Sequence, residues 1–449
     1  MANTQTAASR RIASLLDEGS FVEIGAYVTA RSGANAPSED MNGDGVVTGY
    51  GTIDGCLVYV YAQNPDYLGG SLGEMHAQKI AKLYDMALQM GAPVIALLDC
   101  AGVRLTEGND SLYSFGRMFA DQAKASGVVP QFAAVFGTCG GGLAVSASMA
   151  DFVLMDAEKG KLFLNSPNAV EGNYEEKCDT AGAKYQSERT GLCDFAGTEA
   201  EVIAKLRELV SILPQNYEQD LSYDACEDDL NRAVTGIENA KDKAEMLREI
   251  SDDGAFFEVK PEHAKSVVTA FIRLNGRTIG AVANNGKLLD HFACKKIIHF
   301  VNFCDAFSIP VLTLCDVDGF AHDECNERNL TRALGKLTFT YSKATVPTVT
   351  VVTGHAYGTA GIVMNSKAIG ADLVYAWNTA EMGLMDKELL AKVTDGAADG
   401  KVNAALYNAR RGYVDDIIAP AETRQRVAAA FEMLFTKSVD QVSRKHGTV

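Results

Sequence analysis

The chain contains a second version of itself. The segment GAPVIALLDCAGVRLTEG (91–108) runs parallel to SIPVLTLCDVDGFAHDEC (308–325), with Pro93 on Pro310, Asp99 on Asp316 and Gly102 on Gly319. The same offset carries Val129-Pro130 onto Val346-Pro347 and Gly137 onto Gly354. Landmarks repeated at one spacing mark a duplicated structural unit. Upstream, LLDEGSFVEI (15–24) parallels EISDDGAFFEV (249–259), and GTIDGCLVYVYAQN (51–64) parallels IRLNGRTIGAVANN (272–285). Downstream, SASMADFVLMD parallels NSKAIGADLVYAW. The chain therefore reads as two homologous halves, 1–230 and 231–449, joined near the charged stretch QNYEQDLSYDACEDDLNRA (215–233).

Each half repeats one grammar. A strand pair turns on Asp-Gly or Asn-Gly, the dipeptides that suit a two-residue hairpin. An amphipathic helix follows, HAQKIAKLYDMALQMG or FACKKIIHFVNFCDAF. Then come a buried strand (PVIALLDC or PVLTLCDV), a loop, a helix, and a second buried strand (QFAAVFG or TVTVVTG) ending in a glycine turn. A short small-residue helix and a further strand close each unit. Continuous apolar strands alternating with helices predict an α/β fold with buried parallel strands.

Composition removes several function classes. The formal charge is −17 at pH 7, against the clustered Lys and Arg that neutralising nucleic-acid phosphates requires. No apolar run reaches the roughly 18 residues of a membrane helix, and the N-terminal stretch lacks the apolar core of a secretory signal. The ten cysteines include no C-x₂₋₄-C pair, so no structural metal site is expected. Free thiols buried in strand-like segments fit a reduced, cytoplasmic setting.

The glycine turn GTCGGGLAVSASMAD (137–151) admits several uses. No Lys-Ser/Thr follows as a P-loop requires, and the acidic partner of a dinucleotide fingerprint is missing. Two readings stay open: close packing of a helix on a strand, and an oxyanion hole formed by unpaired N–H groups in the first turn of a helix. Its repeat partner is GHAYGTAGIVMNS (354–366), with His355 inside it. His76 and Lys79, at i, i+3 on one helix, are candidates for an anionic ligand or for a solvated helix face. Arg104 is a candidate phosphate ligand or loop anchor.

Further motifs are GDGVVTGYGTIDGCLVYVYAQ, GGSLGEMHAQKI, ATVPTVTVVTGHAYGTAGIVM, YAWNTAEMGLM and ARRGYVDDIIAPAETRQRV. Taken in order with those above, they resemble the carboxyltransferase components of biotin-dependent acyl-CoA carboxylases, over about residues 11 to 435. The resemblance implies two tandem crotonase-like domains, each a ββα superhelix. The N-terminal half would bind acyl-CoA and the C-terminal half carboxybiotin. Active sites would form between the N half of one subunit and the C half of another, hence homo-dimers or trimers of dimers. Gly141 and Gly142 match the first oxyanion hole of that family, and Thr359 and Ala360 the second. Gly358, Gly361 and Ile362 line the same turn, and His76, Lys79 and Arg104 fall near the CoA side. In the family, the biotin nitrogen takes the α-proton.

No biotin-accepting A/V-M-K-M is present, so the resemblance implies a separate biotin carboxyl carrier protein. It also implies either a biotin carboxylase subunit or, for the reverse reaction, membrane decarboxylase subunits. The chain departs from the family pattern mostly on the biotin side. Thr359 stands for a glycine, Gly361-Ile362 for Tyr-Asp, Asp318 for a proline, and MDKELL (385–390) for a glycine-bearing stretch. In the middle segment, Gln186 and Asp194 stand for two histidines. Besides carboxylation, two alternatives follow: the α subunit of an acyl-CoA decarboxylase, or a non-catalytic paralogue assembling with an active homologue.

Overall fold

The computed structural model describes residues 6–30, 43–170, 179–219, 223–395 and 400–439; residues 220–222 of the charged connector lie outside this set. Two compact units divide the chain, Met1–Ser222 and Tyr223–Val449.

The first unit starts with α1 (Ala7–Leu15) and the strands β1 (Val22–Ile24), β2 (Val46–Ile53) and β3 (Cys56–Gln63). Then follow α2 (Glu74–Met90), β4 (Val94–Cys100), α3 (Asn109–Ala125), β5 (Gln131–Gly140) and α4 (Gly142–Ser148). The unit closes with β6 (Phe152–Asp156), β7 (Lys161–Phe163), the single turn α5 (Ala183–Tyr185), β8 (Phe195–Gly197) and α6 (Glu199–Ile212). Its sheet has the order β1-β2-β3-β4-β5-β6-β8, with β7 pairing the end of β5. The first three strands are antiparallel and the rest parallel.

The second unit repeats the plan. It runs α7 (Lys243–Ile250), β9 (Phe256–Val259), β10 (Val267–Leu274), β11 (Arg277–Asn284), β12 (Leu288–Leu289) and α8 (His291–Ala306). Next are β13 (Val311–Val317), β14 (Gly319–Phe320), α9 (Glu324–Lys343), β15 (Thr348–Tyr357) and α10 (Gly358–Val363). It ends with β16 (Leu373–Trp377), β17 (Glu381–Gly383), α11 (Lys387–Val393), α12 (Ala405–Ala409), β18 (Asp416–Ile418) and α13 (Thr423–Leu434). The sheet order β9-β10-β11-β13-β15-β16-β18, with β17 on β15, is that of the first sheet strand for strand. A short parallel pair, β12 with β14, is extra.

The α/β expectation holds, and the residues show why. β4 and β13 are buried along nearly their whole length, so their unbroken Val/Leu/Ile runs satisfy both faces of a parallel sheet. Both hairpins turn through two residues at positive φ, Asp54-Gly55 (49°, 80°) and Asn275-Gly276 (53°, 72°). That geometry matches the twist of the flanking strands and selects these dipeptides.

The repeated Asp and Gly have a common cause. In both sheets the register between the fourth and fifth strands slips at the aspartate: Leu98 pairs Val135 but Cys100 pairs Cys139, and Cys315 pairs Val352 but Val317 pairs Ala356. The slip packs Asp99 against Gly137 and Asp316 against Gly354 so closely that a Cβ on either glycine would overlap the carboxylate. A second shared device is a buried lysine on the first long helix. Lys79 donates to the carbonyls of Gly43 (3.1 Å) and Val46 (2.6 Å). Lys296, at the same repeat position, donates to those of Lys260, His263 and Val267 (2.8–3.0 Å).

Candidate active site

Both glycine turns lie where a parallel strand ends and a short helix begins, the edge at which open α/β sheets carry their ligand sites. In the first unit, Gly140 lies under the Phe163 ring, where a Cβ would stand 2.8 Å from it. Gly141 then takes φ 61°, ψ −127°, a region open only to glycine, and α4 starts at Gly142. The Gly141 N–H donates to the Phe163 carbonyl (3.0 Å), and Ala144 N–H to the Gly141 carbonyl (3.1 Å). The N–H groups of Gly142 and Leu143 make no such bond, as expected in a helix's first turn. Of the Gly141-Gly142 pair read from sequence, Gly141 thus sets the conformation with its own N–H turned to Phe163, and Gly142 leads the N–H groups of the first turn. Phe115 of α3 covers Gly142, with ring carbons 3.1 Å from where a Cβ would sit.

The second turn has the same skeleton. Gly358, the first residue of α10, takes φ 56°, and Thr359 and Ala360 follow it with N–H groups that likewise lie in the first turn. Thr359 is exposed, so its side chain is accommodated without strain on the core; the repeat position of Phe115 is occupied by Arg332, also exposed. Gly361 has a packing role: a Cβ there would lie 2.7–3.0 Å from the backbone of Ala356. Ile362 is 43% exposed, like its repeat partner Val145 at 38%.

Beside the second turn lies a polar cluster that the sequence did not reveal. His355 Nδ1 lies 2.6 Å from Asp318 Oδ1, and its backbone N–H donates to Asp316 (2.9 Å). Its ring stacks on Tyr357 (4.8 Å between centroids), whose hydroxyl donates to Glu381 (2.6 Å). Burial works against ionisation of Asp316, yet the His355 N–H and Lys287 hold its carboxyl below the usual carboxylate range. Asp318 and His355 stood out separately in the sequence, but nothing local joined them across 37 residues.

His76, Lys79 and Arg104 come together in the first unit, away from any solvated helix face. All three are buried, around a fully buried Asp44. Arg104 pairs with Asp44 and Glu107 and donates to the Ser71 carbonyl (2.7 Å). His76 donates its N–H to Asp44 (2.8 Å) and holds the Asp44 carbonyl through Nδ1 (3.0 Å). Burial, with Arg104 and Lys79 nearby, lowers the His76 pKa to about 3, so the ring is neutral. Burial likewise lowers Lys79 to about 8. The trio bolts the loop before β2 onto α2 and the loop after β4, so Arg104 is an anchor here. Gln186 and Asp194 also hold backbone: Gln186 donates to the Leu162 and Thr180 carbonyls, and Asp194 accepts from Val153 N–H.

Comparison with known proteins agrees with this architecture. Residues 2–397 match the model of the carboxyl transferase domain. The propionyl-CoA carboxylase beta chain of Roseobacter denitrificans is 39% identical, covering 98% of this chain and 93% of its own. The methylmalonyl-CoA decarboxylase subunit alpha of Propionigenium modestum is 36% identical, covering 100% and 94%. The hexameric transcarboxylase 12S, solved with hydrolysed methylmalonyl-coenzyme A bound, superposes with a TM-score of 0.93 at 35% identity, over 99% of this chain and 92% of that one. Sequence and fold therefore agree that the chain belongs to the carboxyl transferase family, acyl-CoA carboxyltransferases built from two crotonase-like units.

Proposed function

We propose that this protein moves a carboxyl group between carboxybiotin on a separate carrier protein and a short acyl-CoA of the propionyl or methylmalonyl type. The observation that carries the reading is the pair of matched turns, each with a glycine at positive φ and unpaired N–H groups behind it. The reaction develops negative charge on two oxygens. The thioester oxygen is charged while the α-carbon is an enolate, and the ureido oxygen is charged when the carboxyl group leaves biotin. Gly142 and Leu143, with Gly141 shaping the turn, serve the first oxygen; Thr359 and Ala360 serve the second. Each donor contributes on the order of 3–4 kcal/mol to the transition state in sites of this kind. The second turn fits a ureido carbonyl because Gly358 brings no Cβ and both donors are free of backbone acceptors.

On this reading, residues 1–230 form the acyl-CoA side and 231–449 the biotin side. His76, Lys79 and Arg104 act by fixing the loops around the first turn, while Gly361 and Ile362 shape the second. Its partners are a biotin carboxyl carrier protein, a biotin carboxylase subunit and further copies of the chain as a dimer or trimer of dimers. The setting is cytoplasmic; no helix among the described residues is long and apolar enough to cross a membrane. A second reading, the α subunit of a decarboxylase with membrane subunits, is favoured by the full-length similarity to such a subunit. The test is incubation of purified protein with methylmalonyl-CoA or malonyl-CoA and free biotin. Biotin-dependent loss of the carboxyl group is expected. No turnover with any short acyl-CoA, together with stable assembly on a homologue, would instead identify a non-catalytic paralogue.

A further inference from the structure

The long helix that follows the fourth strand differs between the units on one face. In the first unit α3 carries Phe115 and Phe119, a ring pair 6.0 Å apart that packs into the apolar core. The repeat positions on α9 are Arg332 and Lys336, both exposed. Ser111 is likewise matched by Arg328, and Gln78 of α2 by Lys295 of α8. The same pair of helices is built with either set of residues, so the architecture does not demand these four cations.

They line an open groove of about 460 Å³ between α8 and α9. Lys295 and His299 face it from α8, and Arg328, Arg332 and Lys336 from α9; no carboxylate of the described residues lines it. The three α9 cations recur every four residues, one above another on one helix face, at about 6 Å per step. Such a ladder of like charge works against the helix that carries it. One rung is relieved, because Arg328 pairs with Glu324, but that pair is exposed and contributes little. Lys295 reaches the Phe292 ring (5.9 Å), and neither it, Arg332 nor Lys336 pairs with a carboxylate among the described residues. In a chain of net charge −17, uncompensated cations gathered in one concave site call for an anion.

We infer that this groove binds the phosphate chain of a nucleotide-type ligand, held by Arg332 and Lys336 from α9 and by Lys295 from α8. A guanidinium presents two parallel donors to phosphate oxygens, and the lysines add point charges. Two or three linked phosphates bridge successive rungs of the ladder, which a single phosphate does not. The volume lies in the range of small-ligand sites. Nucleic acid, a far larger polyanion, is disfavoured by the charge of the whole chain. The shared chemistry is the phosphate chain, whether of a free nucleotide or of the diphosphate in coenzyme A. Because α9 packs against α10, the occupant sits one helix away from Thr359 and Ala360. The inference is independent of the carboxyl-transfer reading, which puts acyl-CoA on the first unit and requires nothing of this groove.

Isothermal titration calorimetry on the full chain at fixed ionic strength tests this with pyrophosphate, ADP, coenzyme A and sulfate. Pyrophosphate is expected to bind, and sulfate about 10-fold more weakly, since it reaches fewer cations. Arg332→Ala with Lys336→Ala should weaken pyrophosphate binding about 10- to 100-fold. Arg332→Lys, which keeps the charge and loses the paired donors, should fall between. Lys205→Ala with Lys265→Ala removes the same charge from exposed pairs outside the groove and should bind as wild type does. Of the binding lost in the double groove variant, tighter ADP than coenzyme A identifies a free nucleotide. The reverse order identifies coenzyme A, and either supports the inference. Equal pyrophosphate binding by wild type and the groove variant would overturn it. So would no binding of pyrophosphate, or sulfate bound as tightly; each of these results leaves the proposed function standing.

Discussion

The two units share strand order, register slip, buried lysine and glycine turn, yet they stabilise these parts with different chemistry. In the first, the loops around the turn are clamped by Arg104 between Asp44 and Glu107, and an aromatic ring covers Gly142. In the second, Ala321 stands at the repeat position of Arg104, the turn is open at Thr359, and ionisable groups crowd beside it. The carboxylates at the far strands differ too. Burial, with the neighbouring charge of Asp194, raises Asp151 to about 7, whereas Asp372 is paired with Lys437 at 2.7 Å. What both units keep is the skeleton that aims N–H groups; what differs is what surrounds them. On the proposed function, the shared parts serve the oxyanions and the divergent parts the ligand each turn meets.

Exchanging residues between units tests that division. Arg104→Ala gives the first unit the residue of the second and strands a buried Asp44. Unfolding free energy should fall by about 3–5 kcal/mol in denaturant melts. Asp151→Asn should abolish a pH dependence that the Lys437-paired site lacks. The folded-state pKa of Asp151 lies above its ordinary 3.8, so the folded chain holds a proton that the unfolded chain has lost. Stability therefore falls as pH rises from about 4 to 7, and the variant should gain on the order of 2–4 kcal/mol over wild type at pH 8 and nothing at pH 4.

Gly137→Ala and Gly354→Ala press on equivalent aspartates and should each cost about 1–3 kcal/mol. A large disparity between them would break the equivalence. Thr359→Gly, which gives the second turn the residue of the first, should change stability by about 0.5 kcal/mol or less and preserve carboxyl transfer, because the N–H remains.

The sequence made the duplication, the strands and both turns legible because these depend on local pattern: apolar runs, Asp-Gly and Asn-Gly dipeptides, glycines before short helices. It did not expose what depends on distant partners. His76 and Lys79 sit at polar positions of an amphipathic helix, but their ligands are Asp44 and the carbonyls of Gly43 and Val46, more than 30 residues earlier. One signal was available, since Lys79 and Lys296 share the repeat offset, and a lysine kept in both halves suits a common structural task. The paired recurrence of Asp99 with Gly137 and Asp316 with Gly354 likewise encoded a contact. Asp318 with His355 had no such trace, having no counterpart in the first half.

The central claim is that two matched turns each hold one developing oxyanion through backbone N–H groups. Gly142→Pro and Thr359→Pro each delete one donor in the first turn of a short helix, where proline is conformationally tolerated. Carboxyl transfer from methylmalonyl-CoA to free biotin, measured on both variants with circular dichroism confirming the fold, tests the claim directly. Each is predicted to lose about 100- to 1,000-fold in rate. Transfer within a few-fold of wild type by either folded variant would contradict the account.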